Sequence, residues 1–282
     1  MPLYGCIEAG GTKFVLGVAR GPDDIVAMTR IETTTPAETL GAVEAWFAGQ
    51  PKIDALGIAS FGPVEISRES DCWGHITETT KPDWSHTDVA ARLGRALSVP
   101  VGFDTDVNGA ALGEQRWGAL QGCETGVYVT IGTGIGGGAV IGGVPLHGAP
   151  HPEMGHVLPQ RHLDDDFAGI CTFHGSCYEG LASGPAIKAR YGVSLSELPA
   201  SHPGHAMIGW YLGQLAIAIQ AMLAPQAIVM GGGVTATPGL LDQARLAAAQ
   251  LGGGYFKPDI VVPGLGDRSG LLGALALAID AA

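Results

Sequence analysis

Two thiols and two imidazoles lie close together near the middle of the chain. Cys171, His174 and Cys177 are spaced three residues apart, and His156 precedes Cys171 by fifteen residues. Thiolate sulfur and imidazole nitrogen are the ligands that a tetrahedral zinc ion prefers. The spacing is less common than two Cys-x2-Cys pairs, so side chains that are only packed or exposed are the alternative. The pattern favours a metal site.

Further polar residues surround these four candidate ligands. Three histidines compete with them as ligands: His147, His151 and His162. The acidic run 164–166 is interpreted as a solvated turn. Glu153 and Glu179 flank the cluster in sequence. A metal ion held between these two carboxylates would keep them still in front of a polar substrate.

Glycine is the most over-represented residue type, and several glycines lie between apolar runs. Glycine makes up 45 of the 282 residues, a share of about 16%, whereas its usual share in proteins is ~7%. In the first glycine turn, Gly10 and Gly11 are followed by Thr12 and Lys13. Backbone N–H groups, a hydroxyl and an ammonium suit phosphate oxygens. A plain hairpin turn is the alternative for this segment.

A second glycine turn, residues 132–138, opens the second half of the chain in the same manner. It contains Thr133, Gly134 and Gly136. The run lacks the spacing of a Walker A loop, and a hairpin rather than a helix follows it, which disfavours Rossmann-type binding. Two facing glycine turns suit a nucleotide held in a cleft.

Two predicted strands end in residues that suit ligand binding. Asp104 and Asp106 follow one strand and begin a helix. Carboxylates at this end of a strand commonly face the ligand crevice of α/β folds, although either aspartate could serve only as a helix N-cap. The other strand ends at Gly231, Gly232 and Gly233. The two alternatives for these glycines are a flat surface that packs against an adenine and a plain strand–helix turn.

Apolar periodicity predicts two halves of alternating strands and helices. Each half begins with two strands joined by a glycine turn, which favours an α/β architecture with an internal duplication. The first half has predicted strands at 3–7, 14–19, 25–31, 53–59 and 99–103, and helices at 36–48, 89–97 and 107–120. The second half has predicted strands at 126–131, 137–141, 227–230 and 259–262, and helices at 206–223, 238–250 and 270–280.

The composition is that of a globular protein with an acidic surface. Hydrophobic residues make up 46% and charged residues 15%, and the formal net charge is −12. An acidic surface repels phosphate backbones, which disfavours nucleic acid as a partner. The five cysteines form no regular framework, so a disulfide scaffold is disfavoured. Without a signal-peptide pattern or an apolar stretch that spans a bilayer, we expect a cytoplasmic protein with no membrane partner.

The motifs occur together in an order that resembles the ROK family of sugar kinases, and within it the bacterial fructokinase branch. They lie at 8–13, 104–114, 133–138, 153–156, 171–179 and 231–233, so the resemblance covers nearly the whole chain. It implies an actin-like, ribonuclease H-like α/β fold, with two lobes around a central ligand cleft. The implied lobes are residues 1–120 with about 268–282, and residues 121–267.

The resemblance also implies roles for individual residues. Asp106 corresponds to the catalytic base. The nucleotide-binding positions are Gly10, Gly11, Thr12, Lys13, Thr133, Gly134, Gly136, Gly231, Gly232 and Gly233. The sugar-contacting positions are Gly62, Asn108, Glu153, His156 and Glu179. The zinc ligands are His156, Cys171, His174 and Cys177.

The activity implied by the resemblance is ATP-dependent phosphorylation of D-fructose to D-fructose 6-phosphate. The implied cofactors are a structural Zn²⁺ and the Mg²⁺ that accompanies ATP, and the implied assembly is a homodimer. A kinase for glucose, mannose or an N-acylated hexosamine is the alternative enzyme. A sugar-sensing repressor is disfavoured because the first predicted strand begins at Leu3 and leaves no room for a preceding DNA-binding unit. A sugar-binding module without catalysis is disfavoured by the intact Asp106 and Lys13.

Three positions depart from the pattern of the wider family. Glu8 stands where aspartate is usual, Thr105 where asparagine is usual, and His174 where a third cysteine is usual. We interpret these three residues as traits of the fructokinase branch.

Overall fold

The computed structural model describes residues 1–149 and 151–282. Its strands are β1 (Tyr4–Ala9), β2 (Lys13–Gly21), β3 (Asp24–Glu32), β4 (Ala55–Ser60), β5 (Val101–Thr105), β6 (Thr125–Ile131), β7 (Ile135–Ile141), β8 (Val144–Pro145), β9 (Ala227–Gly231) and β10 (Ile260–Val261). Its helices are α1 (Pro36–Ala48), α2 (Ala90–Leu97), α3 (Asp106–Trp117), α4 (Tyr178–Ala182), α5 (Gly184–Tyr191), α6 (Gly204–Leu223), α7 (Leu240–Leu251) and α8 (Ser269–Ala281).

Two five-stranded mixed sheets share one topology. The first has the strand order β3-β2-β1-β4-β5, and the second has the order β8-β7-β6-β9-β10. In each sheet the first three strands of the chain pair antiparallel, and the last two join in parallel. The α/β prediction is therefore confirmed, and the matching order supports the internal duplication that the two glycine hairpins indicated.

Helix α8, at the end of the chain, packs on the first sheet. Two strand glycines permit a close approach: a Cβ on Gly57 would lie 1.8 Å from the carbonyl oxygen of Ala274, and one on Gly102 would lie 2.1 Å from that of Leu277. Since any larger residue would place an atom inside the helix backbone, glycine at these positions lets α8 lie directly on β4 and β5. The end of the chain thereby helps to form the first half of the molecule.

Helix α3 ends at Trp117, three residues earlier than predicted, because a buried carboxylate binds the chain that follows it. Glu114 is fully buried. Its Oε2 accepts hydrogen bonds from the backbone N–H groups of Ala119 (2.7 Å) and Gly264 (2.9 Å), and its Oε1 accepts one from the hydroxyl of Ser269 (2.6 Å). A buried charge is tolerated only with such partners. Glu114 therefore joins the end of α3 to the start of α8.

Helix α6 is the one helix, within the part of the chain that the structure describes, whose length and apolar composition would let it cross a membrane. Its buried face includes Ile208, Leu212, Leu215 and Ile219. These side chains belong to a hydrophobic core shared with α7 and the second sheet. The helix is placed as the core helix of a globular domain.

Burial identifies one aromatic core residue and tests the interpretation of the acidic run 164–166. Trp84 is fully buried, and its indole N–H donates to the carbonyl oxygen of Thr34 at 2.8 Å, so it is a core residue. The interpretation of 164–166 as a solvated turn is wrong for Asp165, whose side chain is only 1% exposed. Asp165 pairs with Arg190 and accepts a hydrogen bond from the hydroxyl of Tyr211. These partners offset part of the desolvation cost of burying this carboxylate.

Candidate active site

A cavity of about 440 Å³ lies between the two halves of the chain. The predicted site residues that line it are Gly11, Gly62, Asp106, Thr133, Gly134, Gly136, Glu153, His156 and Glu179. The other predicted residues lie outside its lining: Gly10, Thr12, Lys13, Asn108, Cys171, His174, Cys177, Gly231, Gly232 and Gly233. The fold thus brings the proposed base, residues of two glycine turns and three side chains that were predicted to contact the sugar to one cavity.

The two aspartates at the junction between β5 and α3 have different surroundings. Thr105 is the N-cap, and its hydroxyl oxygen accepts the backbone N–H of Asn108 at 3.1 Å. Asp104 is buried; its Oδ1 accepts the N–H of Thr105 at 2.7 Å, and its Oδ2 lies 2.7 Å from Nε2 of His147. Asp106 is the first helical residue and lines the cavity. The N-cap alternative for both aspartates is wrong.

The carboxyl of Asp106 has an unusual protonation equilibrium. Its pKa is raised to about 7, mainly by desolvation on burial, with a further contribution to this rise from the negative charges of Glu8 and Glu153. The backbone N–H of Val107, which donates to Oδ1 at 2.9 Å, opposes this shift. A general base works best when its pKa lies close to the operating pH. Asp106 therefore meets the chemical requirement for accepting a proton from a substrate hydroxyl.

Asn108 has its side chain directed away from the cavity. It is 2% exposed, and its Nδ2 donates to Oδ1 of Asp104 at 2.8 Å and to the carbonyl oxygen of Leu146 at 3.2 Å. These two hydrogen bonds of Asn108 stabilise the first turn of α3. Its direct contact with a sugar stays a prediction.

The second glycine turn, between β6 and β7, packs closely against its neighbours. The backbone N–H of Ile135 donates to Oε2 of Glu179 at 3.0 Å, and a Cβ on Gly134 would lie 2.6 Å from the same oxygen. A Cβ on Gly138 would lie 2.4 Å from the backbone carbon of Val107. A side chain at Gly134 would collide with Glu179, and one at Gly138 would push β7 away from the start of α3. The glycines therefore place the turn beside Asp106.

A second cavity, of about 390 Å³, adjoins the first one at this turn. Gly132 and Thr133 line both cavities. The second cavity is also lined by Gly184 at the start of α5 and by Gly233 and Thr237, which follow β9. A ligand that fills both cavities would pass over the glycine turn, and this shape suits a nucleotide whose phosphates lie at the turn.

The remaining glycine positions do not share one role. Gly231 is packed in the core, since a Cβ there would lie 2.4 Å from the hydroxyl of Tyr128, and Gly232 has a φ of +95°. In the first glycine turn, the N–H of Gly10 donates to the carbonyl oxygen of Lys13 at 3.0 Å, which closes the β1–β2 hairpin. Thr12 and Lys13 are exposed. Their contact with phosphate stays a prediction.

The four sequence-predicted metal ligands form one compact cluster. Their ligand atoms lie within 4.8 Å of one another. Nδ1 of His156 is 3.6 Å from Sγ of Cys171, 3.6 Å from Sγ of Cys177 and 3.3 Å from Nδ1 of His174. A tetrahedral zinc ion separates its sulfur and nitrogen ligands by about 3.6 Å and two nitrogen ligands by about 3.4 Å, given Zn–S and Zn–N bonds of about 2.3 and 2.1 Å. The residues present therefore fit a zinc ion.

The competing histidines lie outside this cluster. His147 contacts Asp104. His151 accepts the backbone N–H of Val64 at 3.2 Å, and His162 stacks edge-on against Trp210. The four side chains that the sequence pattern favoured are thus the ones that the fold brings together.

The cluster of four candidate metal ligands, called the metal cluster below, shares His156 with the cavity. His156 directs Nδ1 to the cluster, while its Nε2 lies 4.0 Å from Oε1 of Glu179 at the cavity wall. Cys177 is the N-cap of α4, the helix that carries Glu179. Glu153 lines the same wall and is half-exposed. This arrangement leaves three hydrogen-bonding side chains free to contact a polar ligand.

The sequence of the whole chain matches one family. A model of the ROK family matches residues 4–281. The chain belongs to the ROK family. The family resemblance that the motifs indicated is therefore confirmed, over nearly the full length of the chain.

Relatives within the ROK family include curated fructokinases. The chain is 49% identical to the fructokinase of Zymomonas mobilis, over 99% of this chain and 97% of that protein. It is 39% identical to the fructokinase of Streptococcus mutans, over 98% of this chain and 97% of that protein.

Solved structures of ROK proteins share the fold. A ROK family glucokinase from Streptomyces griseus, in complex with glucose and AMPPNP, is 25% identical, with a TM-score of 0.82 and 99% of each chain covered. The ROK hexokinase from Thermus thermophilus is 26% identical, with a TM-score of 0.78 and 98% of each chain covered. The predicted actin-like α/β fold of this family is confirmed.

Several residues that line the cavity between the two halves of the chain were not among the predicted site residues: Phe61, Thr79, Thr80, His151 and Phe173. The two threonines lie in the irregular segment between β4 and α2, which has no periodicity from which a position could be inferred. Phe173 has a usable signal, since it lies between two metal ligands in sequence and must stay close to them.

Proposed function

We propose that the protein transfers the γ-phosphoryl group of ATP to the 6-hydroxyl of D-fructose, with Asp106 as the general base. The observation that carries the proposal is the placement of Asp106. Its carboxyl lines the cavity between the two halves of the chain, beside the glycine turn, and has a pKa of about 7. The high identity to curated fructokinases supports fructose as the sugar.

The distribution of charge supports a division of the cavity into two ends. Asp106, Glu153 and Glu179 make one end acidic. A neutral sugar can donate its hydroxyl groups to these carboxylates, whereas phosphate oxygens are repelled. The glycine turn at 132–136 and the exposed Lys13 provide amide and ammonium donors for the phosphates, and the adjoining second cavity has room for the adenosine.

The proposed reaction is a phosphoryl transfer in which Asp106 is the base. Phosphoryl transfer needs in-line positioning and neutralisation of charge. Asp106 accepts the proton of the sugar hydroxyl as the oxygen attacks the γ-phosphorus, the bond from that phosphorus to the β–γ bridging oxygen breaks, and ADP leaves. Such base catalysis contributes about 10²–10⁴-fold. The Mg²⁺ that accompanies ATP supplies charge neutralisation on the phosphates.

Zinc belongs to the same proposal as a structural ion. His156, Cys171, His174 and Cys177 would hold it, and four protein ligands leave no open position for substrate. When bound, the ion fixes the loop and the helix that carry Glu153 and Glu179. The close match of the ligand distances to a tetrahedral shell supports this assignment.

The remaining expectations follow from the same family membership. We place residues 1–120 and about 268–282 in one lobe and residues 121–267 in the other. The packing of α8 on the first sheet supports this division. A homodimer and a cytoplasmic location are part of the proposal.

A coupled assay of ADP release with a panel of sugars tests the proposed function. We expect the highest kcat/KM with fructose, and lower values with mannose, glucose and N-acetylmannosamine. These sugars are the substrates of the alternative kinases, which would use the same base and nucleotide site. A higher kcat/KM for glucose or an N-acylated hexosamine would replace fructose in the proposal, and ADP release with none of them would reject it.

A further inference from the structure

His151 lies at the junction between the two walls of the cavity. Its side chain is only 6% exposed. Its Nε2 is 3.2 Å from the backbone nitrogen of Val64, a residue 87 positions earlier in the chain. Its Nδ1 is 3.5 Å from Oε1 of Glu153. One ring therefore contacts the wall formed by the first half of the chain and a carboxylate of the opposite wall.

The two contacts define which ring nitrogen carries the proton. A backbone N–H is only a donor, so Nε2 of His151 must be its acceptor and cannot carry a hydrogen. In the neutral ring the proton is then on Nδ1, which faces the carboxylate of Glu153. The backbone of Val64 thus selects the tautomer that can donate to Glu153.

We propose that His151 is a positioning residue that orients Glu153 and holds the turn at Gly62 against it. This inference rests on the proposed function, since Gly62 and Glu153 are the sugar-contacting positions on the two walls. A Cβ on Gly62 would lie 3.6 Å from the ring of His151, in ordinary van der Waals contact, so the turn lies beside the imidazole. His151 itself acts through Glu153 and the turn.

Two amide substitutions separate the two contacts of the ring. Glutamine can place its carbonyl oxygen near the position of Nε2 and accept the N–H of Val64, but it leaves Glu153 without its donor. Asparagine can place its amide nitrogen near the position of Nδ1 and donate to Glu153, but it leaves Val64 without its acceptor. Alanine removes both contacts. The three variants form a series in which the two functions are lost singly and together.

Steady-state kinetics test the proposal. For His151→Ala we expect the KM for fructose to rise about tenfold, while the KM for ATP stays within about twofold. His151→Gln and His151→Asn should each recover part of the loss. In a Glu153→Ala background, His151→Gln should have little further effect, because the partner of Nδ1 is already absent. His205→Gln, on α6 and outside the cavity lining, is the matched control.

Two kinetic results would overturn the proposal. One is an unchanged KM for fructose in His151→Ala. The other is an equal rise of both KM values together with a lower melting temperature, because this would indicate a general structural role.

A spectroscopic measurement tests the contacts without reference to the sugar. In protein labelled with ¹⁵N-histidine, the His151 signals, assigned by their loss in His151→Gln, should show a protonated Nδ1 and an unprotonated Nε2. The opposite tautomer would overturn the proposal. If the wild-type protein shows no turnover of fructose, the proposed function fails. The tautomer of His151 and the melting temperatures of its variants are measured without sugar, so they still test the contacts of His151 with Val64 and Glu153.

Discussion

The carboxylate of Glu179 accepts a hydrogen bond from the backbone N–H of Ile135 at 3.0 Å. Glu179 lies two residues after Cys177, whose sulfur caps helix α4 by accepting the N–H of Gly180 at 3.5 Å. The same carboxylate lies 4.0 Å from Nε2 of His156. The metal cluster is thus connected through one side chain to the glycine turn of the proposed phosphate site. Because Glu179 belongs to the acidic end of the cavity that is proposed for the sugar, disturbing the cluster should affect that end first.

Substitution of a single metal ligand tests this connection. Cys177→Ser removes the thiolate but retains an oxygen that is a favoured N-cap, so the start of α4 is preserved. We expect the zinc content to fall and the KM for fructose to rise by about 10- to 100-fold, with a smaller effect on the KM for ATP. Elemental analysis and steady-state kinetics are the measurements. Cys72→Ser is the matched control, since Cys72 is exposed and lies outside the cluster. Fully active wild-type protein without zinc would contradict the assignment.

The raised pKa of Asp106 predicts a pH dependence close to neutrality. Burial favours the protonated carboxyl and raises the pKa to about 7, and a base must be ionised to accept a proton. The kcat/KM for fructose should therefore fall about tenfold per pH unit below that pKa and level off above it. An ordinary aspartate, with a pKa of ~3.9, would give no loss in this range. A profile measured between about pH 5 and about pH 9 tests the prediction.

His147 provides the control for this profile. Its hydrogen bond with Asp104 raises the pKa of His147 above its ordinary value, so its titration must be separated from that of Asp106. His147→Gln should leave the inflection in place if Asp106 is responsible. An inflection that disappears in His147→Gln, or a flat profile in the wild type, would contradict the assignment to Asp106.

Two glycine substitutions test how α8 is packed. Gly57→Ala places a methyl group 1.8 Å from the carbonyl oxygen of Ala274, so α8 must move. We expect the free energy of unfolding to fall by at least about 2 kcal/mol. Gly41→Ala, in the middle of α1 with no atom within 4 Å of the new methyl group, should raise it by about 0.5–1 kcal/mol. Denaturant unfolding measures both. Equal effects of the two substitutions would contradict the packing described for α8.

Much of the fold was predictable because local patterns decide it. The two glycine hairpins and the long helices have clear apolar periodicity, and their positions are confirmed within a few residues. Strand β5 extends to Thr105, two residues beyond its predicted end, because Asp104 finds buried partners there. Helices α4 and α5 were missed, since each is short and begins at a cap, Cys177 or Ser183, whose importance depends on the surrounding loop.

The candidate site was predictable where its residues bear a chemical pattern, and unpredictable where it depends on burial. Residue type and spacing predicted that His156, Cys171, His174 and Cys177 form one cluster, and the fold confirms that they do. Residue type and periodicity alone did not separate Asp104 from Asp106, because only the fold shows which carboxylate is used by buried donors. The same reason accounts for Asp165, whose partner Arg190 is 25 residues away in sequence. His151 was assigned only as a competing metal ligand, since its contact with Val64 joins distant parts of the chain.

The most direct test of Asp106 as the base combines turnover with binding in one variant. Asp106→Asn keeps the size of the side chain and removes its capacity to accept a proton. We predict that kcat with fructose falls by at least about 10²-fold, while calorimetry shows a dissociation constant for fructose within about threefold of the wild-type value. A kcat close to that of the wild type, with the same fructose binding, would contradict the account.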